Sequence, residues 1–417
     1  MVEPDIEKDS KQKFEVPPSA KQLSKGKKRA LSLRTVLLKT HLWLSLVFGL
    51  FIVFTCATGS LIVFVREIDA ALNPHLFRVT PSAKPVNFDE VKSAIQKAFP
   101  QKKLVTLSPP NERWTCGVYK VQISGSPPTE VFLDPGTGEI LGARIQGRSF
   151  LNDLVRMHIA LMSNESAPMK TFSKILKKLN IKIQPGRCAV GIIGIILTIV
   201  LCTGLYLWWP KISNFARGFR IRRNEGAYSF FYDFHKLVGI VSLPCLLVIA
   251  ITGVTFEFPE FAQKVVYGTF GGKPPVDIDP REIKAVPSSS PPLTFEQVRK
   301  ITEQDIPGST VTGISNPPDK FIVRLERPYF IFPRFQSVIY LDQYTGKVLA
   351  EQDEKNFSFA DILLSRWRFP LHVGYFGHGL FLTFMRIFYV IVGFVPLGLF
   401  ATGIFIWLKK RSSSRKS

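Results

Sequence analysis

None of the short motifs that mark nucleotide-dependent or hydrolytic enzymes occurs in this chain. There is no Walker A loop, no H-E-x-x-H and no G-x-S-x-G. The glycines of 268–272 lack the strand-then-helix setting that a dinucleotide-binding fingerprint requires. An evident nicotinamide or flavin domain is thereby excluded. Cysteine is scarce as well, with five in 417 residues. Cys56, Cys188, Cys202 and Cys245 fall in apolar runs, where a free thiol acts as a small apolar residue, and Cys116 stands alone. No disulfide framework follows, and the lack of C-x-x-C-H excludes covalent c-type haem attachment. Acidic residues are few, 32 against 54 Lys and Arg, leaving a net charge of +22. Such a balance suits either nucleic acid or an anionic membrane surface.

Long apolar runs decide for the membrane. Leu42–Val65, Cys188–Trp209, Leu237–Phe256 and Ile387–Leu408 hold 24, 22, 20 and 22 residues without a charge. A helix of about 20 residues crosses ~30 Å of hydrocarbon. The first run follows some forty polar residues and is too long for a signal-peptide core, so it reads as a permanent span. Basic residues cluster in 1–40 (ten against five acids), 210–229 (five against one) and 409–417 (five against none). The long segments 66–150 and 259–365 are balanced, at eleven against eight and twelve against fourteen. By the positive-inside rule both termini and the 210–229 loop are expected in the cytoplasm, and the long segments outside. Lipid bilayer, not nucleic acid, is the expected partner.

Within these runs two histidines recur in register. His41 stands seventeen residues before Thr58-Gly59, and His235 seventeen before Thr252-Gly253, an offset of 194 for both features. Arg187 and Arg386 each stand sixteen before Thr203-Gly204 and Thr402-Gly403. The outer segments repeat too. Asn87–Ile95 is similar to Thr294–Ile301, and Val131–Leu141 to Val338–Leu349, each of the latter pair reading as strand, Asp-x-x-Thr-Gly turn, strand. An internally duplicated chain is expected, in which each half carries two spans and a small α+β unit.

These features resemble the PepSY-associated transmembrane family, bacterial iron-regulated inner-membrane proteins that include ferric-siderophore reductases. The resemblance covers about residues 35–410. It rests on His-x-Trp-Leu at His41, the Thr-Gly pairs, Tyr-Leu-Trp-Trp-Pro at 206–210, Tyr-Asp-Phe-His at 232–235, both Asp-x-x-Thr-Gly turns and Leu371-His372-Val373-Gly374.

The expected fold is therefore membrane α-helical, four transmembrane helices in two duplicated halves with two small PepSY-like extracytoplasmic domains. The plan runs as a disordered basic tail (1–34), span one (35–66), a first PepSY-like domain (67–150), a histidine-bearing interfacial segment (151–186) and span two (187–209). A basic loop (210–230), span three (231–258), a second PepSY-like domain (259–360), a second histidine-bearing segment (361–384), span four (385–408) and a basic tail (409–417) complete it.

Six histidines supply the chemistry. His41 and His235 lie at the expected cytoplasmic ends of spans one and three, and His158 and His372 on the outer approaches to spans two and four. A single histidine at a membrane edge is usually just an interfacial polar residue; recurrence at fixed spacing favours ligation for His41 and His235, and motif context points to His158 and His372. Neutral imidazole is a good axial ligand, and two of them fill both axial positions of haem iron, which suits electron transfer. His41 with His235, and His158 with His372, are thus expected to hold two haem b groups, one near each face. The family's reductases, being haem proteins with histidines in these segments, imply the same. Glycine of each Thr-Gly pair is expected to admit the flat macrocycle, and Arg187 and Arg386 either to meet haem propionates or to anchor helix ends.

An amphipathic helix is expected around 170–184, an insertion that separates His158 from its span. His378 rivals His372 as a ligand, His75 reads as a loop residue, and Glu67 and Glu257, offset by 190, carry no assignment. The expected activity is outward electron transfer to a ferric siderophore or other ferric chelate, with electrons from a quinol or a cytoplasmic reductase. The alternatives are a non-catalytic PepSY membrane protein that binds a partner or modulates a protease, and a haem or metal transport component.

Overall fold

Long uncharged sequences with no β-branched alternation have one way to satisfy their backbone in lipid, the α-helix. Four helices of the computed structural model are long and apolar enough to cross a membrane. The structure describes residues 32–111, 115–162, 167–178, 183–209, 212–274, 279–283, 289–327, 335–351 and 357–414. Most of the expected disordered tail, and residues 210–211 and 415–417 of the basic segments, lie outside these.

In chain order, α1 (Leu33–Ile62) is followed by α2 (Val65–Leu72), then by α3 (Phe88–Ala98) and strands β1 (Leu104–Ser108), β2 (Tyr119–Ile123), β3 (Thr129–Leu133) and β4 (Ile140–Ile145). Two shorter helices, α4 (Phe150–Ala160) and α5 (Ala167–Lys178), lead into α6 (Pro185–Trp208). The succession then recurs: α7 (Gly226–Glu257), α8 (Pro259–Phe270), α9 (Phe295–Asp305), β5 (Thr310–Ser315), β6 (Lys320–Arg327), β7 (Phe335–Asp342) and β8 (Val348–Glu351). After α10 (Phe359–Asp361) and a π-helical run (Ile362–Trp367) come α11 (Arg368–Val373) and α12 (Gly379–Ser414).

The spanning helices form a ring in which α1 packs on α6 and α12, and α7 on the same two. Ile52, Ile193, Ile196, Leu197, Leu201, Leu246, Ala250 and Val392 fill its centre. Large apolar side chains such as Trp43, Leu50, Val241 and Ile391 point outward, the inside-out distribution that lipid contact permits. Small residues set the closest approach: a Cβ on Gly49 would strike the Phe400 ring, and one on Gly393 the Ser60 hydroxyl. The first span ends at Ile62, short of the expected boundary at 66, because the chain breaks at Val63–Phe64 before α2. Helices α7 and α12 begin at Gly226 and Gly379, earlier than the apolar runs suggested.

Where the sequence suggested two separate α+β units, the structure joins them. All eight strands form one antiparallel sheet in the order β4-β3-β2-β1-β5-β6-β7-β8. The seam is the pairing of β1 with β5, Thr106 opposite Ser315 and Leu107 opposite Ile314, with the two hydroxyls 2.8 Å apart. Two inner edges that would otherwise expose unpaired backbone cover each other. One core serves both units, with Val91 and Ile95 of α3 packed beside Phe295 and Val298 of α9. Each of these helices starts on a capping box, Asn87 with Glu90 and Thr294 with Gln297. Each Asp-x-x-Thr-Gly turn closes through its glycine, Gly138 (φ +73°) and Gly346 (φ +71°), whose N–H donates to the carbonyl of Asp134 or Asp342.

Candidate functional site

The four candidate histidines, two found by register and two by motif, all lie against the four-helix ring, and each rests on a Thr-Gly pair of a neighbouring helix. On α1, His41 places Nδ1 3.1 Å from both the Val200 carbonyl and the Thr203 hydroxyl of α6. On α4, His158 places Nδ1 2.9 Å from the Thr55 carbonyl of α1. On α7, His235 places Nδ1 2.9 Å from the Thr402 hydroxyl of α12. On α11, His372 places Nδ1 3.0 Å from the Thr252 hydroxyl and 3.1 Å from the Ile249 carbonyl of α7.

One local device repeats at all four places. Each threonine donates its hydroxyl to its own helix, to the carbonyl three residues back: Thr58 to Thr55, Thr203 to Val200, Thr252 to Ile249 and Thr402 to Leu399. Hydroxyl and carbonyl together present only acceptor character to the imidazole, so Nδ1 must donate. That fixes the tautomer and leaves the lone pair on Nε2, the arrangement by which a protein readies histidine for a metal.

The adjoining glycine makes the fit possible. A Cβ on Gly59 would stand 2.7 Å from Cε1 of His158, on Gly253 3.2 Å from that of His372, on Gly204 3.3 Å from that of His41, and on Gly403 3.6 Å from that of His235. Sequence reading assigned the glycines to a macrocycle; in the structure the space next to them is taken by an imidazole edge. Thr58-Gly59 and Thr252-Gly253, seventeen residues beyond His41 and His235 and so about 26 Å along the helix, support His158 and His372. The usable signal was numerical, since the four apolar runs hold four Thr-Gly pairs beside four candidate ligands.

At the sheet end of the ring, the His158 and His372 rings have centroids 6.1 Å apart and an interplanar angle of 43°. Two metal–imidazole bonds of about 2 Å, plus about 1.1 Å from each nitrogen to its ring centre, give roughly 6.3 Å for a metal held between two rings. Both line a cavity of about 1260 Å³ that runs from the ring interior to the underside of the sheet. His41 and His235 lie on α1 and α7, toward the opposite end of the ring. Among the described residues no group of three or more His, Cys, Asp or Glu gathers around a point. A bare ion needing a full protein ligand set is poorly served; iron already held by a macrocycle needs only the two imidazoles.

At the mouth of the cavity stand the two arginines, each already engaged. Arg187 Nε lies 2.8 Å from Glu257, and Arg386 Nη1 2.5 Å from Glu67. Each also caps the end of the helix it reaches, Arg187 at the Phe256 carbonyl (3.2 Å) and Arg386 at the Val63 carbonyl (2.7 Å). The break after α1 thus has a partner for its freed carbonyl. Glu67 and Glu257, left without a role by their offset, are the partners that sequence reading missed. Spacing hid them because the first acid sits on a separate helix, α2, beyond the break. Burial pushes the Glu67 carboxyl up, but the hydrogen bond and charge of Arg386, with Arg66, hold it below its ordinary value.

His378 also lines the cavity, whereas His75 is exposed in a short 3-10 turn. The expected helix around 170–184 is present as α5 as far as Lys178. All five cysteines are free. At the end opposite the sheet, Trp208 packs against Phe215 and Phe219 of a helical turn at Ile212–Phe219, and Asp233 binds Arg222 and Lys236.

The family model described as "PepSY-associated TM region" matches residues 38–410. Among curated proteins none matches the chain.

Proposed function

From the premise that this chain belongs to the PepSY-associated transmembrane family, we propose that it is a di-haem b-type electron-transfer protein that reduces a ferric chelate. Its setting would be the bacterial inner membrane, with both termini and the 210–230 loop cytoplasmic, as the basic segments support. The repeated succession of helix, four strands and spanning helices supports an origin by internal duplication, with two PepSY-like domains facing the periplasm.

One observation carries the reading: four imidazoles, two toward each end of the ring, each with Nδ1 tied to a threonine–carbonyl platform and Nε2 left for a metal. His41 and His235 would hold the inner haem, and His158 and His372 the outer. Haem held between two imidazoles would supply one-electron transfer. The chain's own residues do the rest. The four platforms keep the rings from turning, so little rearrangement attends a change of charge at the site. Ile52, Leu197 and Leu246 give the cavity an apolar wall between the two levels. Arg187–Glu257 and Arg386–Glu67 bound the outer mouth, beneath the fused sheet.

The substrate class follows from ligand chemistry and from the family. Siderophore oxygen donors are hard and hold ferric iron much better than ferrous, so adding one electron to the bound iron releases it. A reduced-minus-oxidised absorption spectrum of the purified protein, with haem quantified per chain, tests the proposal. Two b-type haems per chain are expected. A protein purified from haem-replete cells without a b-type signal would end the electron-transfer reading and leave a partner-binding role for the sheet.

A further inference from the structure

On the lipid-facing side of the seam between α1 and α6 lies a groove of about 410 Å³ lined by Arg34, Cys202, Leu205, Tyr206 and Trp209. Its size falls within the range of small-molecule sites. It sits next to the inner histidine. Arg34 precedes His41 by seven residues, so the two share a face of α1 about 10 Å apart along the axis. Cys202 and Leu205 flank Thr203-Gly204, the platform on which His41 rests.

The corresponding seam in the second half shows that this groove is no automatic result of the fold. Shifting by the histidine offset of 194 turns Arg34 into Tyr228 and Leu37 into Phe231. Shifting by the Thr-Gly offset of 199 turns Cys202 into Ala401, Tyr206 into Phe405 and Trp209 into Leu408. There the Phe231 and Phe405 rings meet edge-on at 4.8 Å and fill the seam. The first half has Leu37 where the second has Phe231, so no such ring pair forms, and a groove remains beside Tyr206.

Groove chemistry limits the occupant. Its walls are apolar and aromatic, and Tyr206 and Trp209 are 44% and 59% exposed, so it opens toward the bilayer. Arg34 uses one N–H₂ on the Leu207 carbonyl at 3.2 Å and has further N–H donors to spare. Among the described residues the Tyr206 hydroxyl has no hydrogen-bond partner. Guanidinium and phenol donors at the end of an apolar slot match a planar molecule with hydrogen-bond-accepting oxygens at its rim.

We infer that this groove binds a membrane hydroquinone, which serves as the electron donor to the inner haem. The inference rests on the electron-transfer reading. Oxidation of one hydroquinone to quinone releases two protons to the water at that face and two electrons, which leave singly and reduce two ferric centres of the substrate. Arg34 and Tyr206 position the head group by its two oxygens.

Two measurements on the full-length protein in detergent test this. In the first, alkylation of the exposed Cys202 by a maleimide is followed by mass spectrometry. Decylubiquinone is expected to slow it saturably, and vesicles of phosphatidylglycerol are not. Protection by the anionic lipid alone would make the groove a lipid site and overturn the inference. In the second, anaerobic decylubiquinol reduces the bound haem in a stopped-flow mixer. Arg34→Gln, and the seam-filling pair Leu37→Phe with Tyr206→Phe, are expected to raise the half-saturating quinol at least tenfold. Reduction by dithionite should be unchanged. Unaltered quinol kinetics in both variants would place the donor elsewhere while leaving the haem reading intact. Absence of haem would remove the electron-transfer reading but not the quinone protection of Cys202.

Discussion

The two histidine pairs are held by the same platform but carried by different parts of the chain. His41 and His235 sit on the spanning helices themselves, whereas His158 and His372 sit on short helices, α4 and α11, that fold back against the ring before a span begins. A spanning helix fixes its histidine by backbone hydrogen bonds along its whole length. A short helix has few of its own and depends on what it touches, here Thr55 for His158 and Thr252 for His372. The sheet-end pair is therefore the more conditional of the two, and it is the pair that lines the large cavity.

Breaking the two pairs separately gives the largest expected effect. His372→Ala should remove the outer haem and keep the inner, halving haem per chain. His41→Ala should do the reverse, with a different residual spectrum. Equal spectra from the two variants, or no loss in either, would contradict the pairing.

Glycine substitution sharpens the same comparison. Gly59→Ala forces a Cβ to 2.7 Å from the His158 ring, whereas Gly403→Ala meets His235 at an ordinary 3.6 Å. Gly59→Ala should displace His158, destabilise by about 1–3 kcal/mol and lower outer-haem occupancy. Gly403→Ala should be nearly silent. Thermal unfolding and haem content of the two proteins, measured side by side, decide this.

The smallest contrast lies at the cavity mouth. In the Arg187–Glu257 pair the acid is the buried member, 6% exposed against 42%; in the Arg386–Glu67 pair it is the base, 12% against 50%. Removing the exposed partner strands the buried charge, which costs more than removing the buried one and leaving the exposed charge to water. Arg187→Gln should thus lower stability more than Glu257→Gln, and Glu67→Gln more than Arg386→Gln, by about 1 kcal/mol in each case. Midpoints of thermal unfolding in one detergent provide the measurement. The same ranking in both pairs, arginine always or glutamate always, would refute the argument.

Much of this was legible in the chain. Uninterrupted apolar runs of about 20 residues leave a helix as the economical solution, and all four runs lie in helices long and apolar enough to cross a membrane, the first breaking off at Ile62. Asn87 with Glu90, and Thr294 with Gln297, announced helix starts, and Gly138 and Gly346 marked turns whose conformation only glycine adopts easily. These are local devices, readable over a few residues. The fused sheet was not legible, since nothing in Leu104–Ser108 or Thr310–Ser315 names its neighbour. The acids Glu67 and Glu257 were hidden because a kink, which spacing does not record, sets one of them on a different helix.

The sequence alone determined that four helices are long and apolar enough to cross a membrane, that two histidines recur in register, and that Thr-Gly pairs recur with them, because hydrophobic length and residue spacing are properties of the chain. The tertiary structure alone decided which Thr-Gly pair supports which imidazole, that the arginines meet glutamates, and that one seam is open where its counterpart is plugged. Those are relations between helices far apart in the chain, and they exist only once packing has chosen which faces meet.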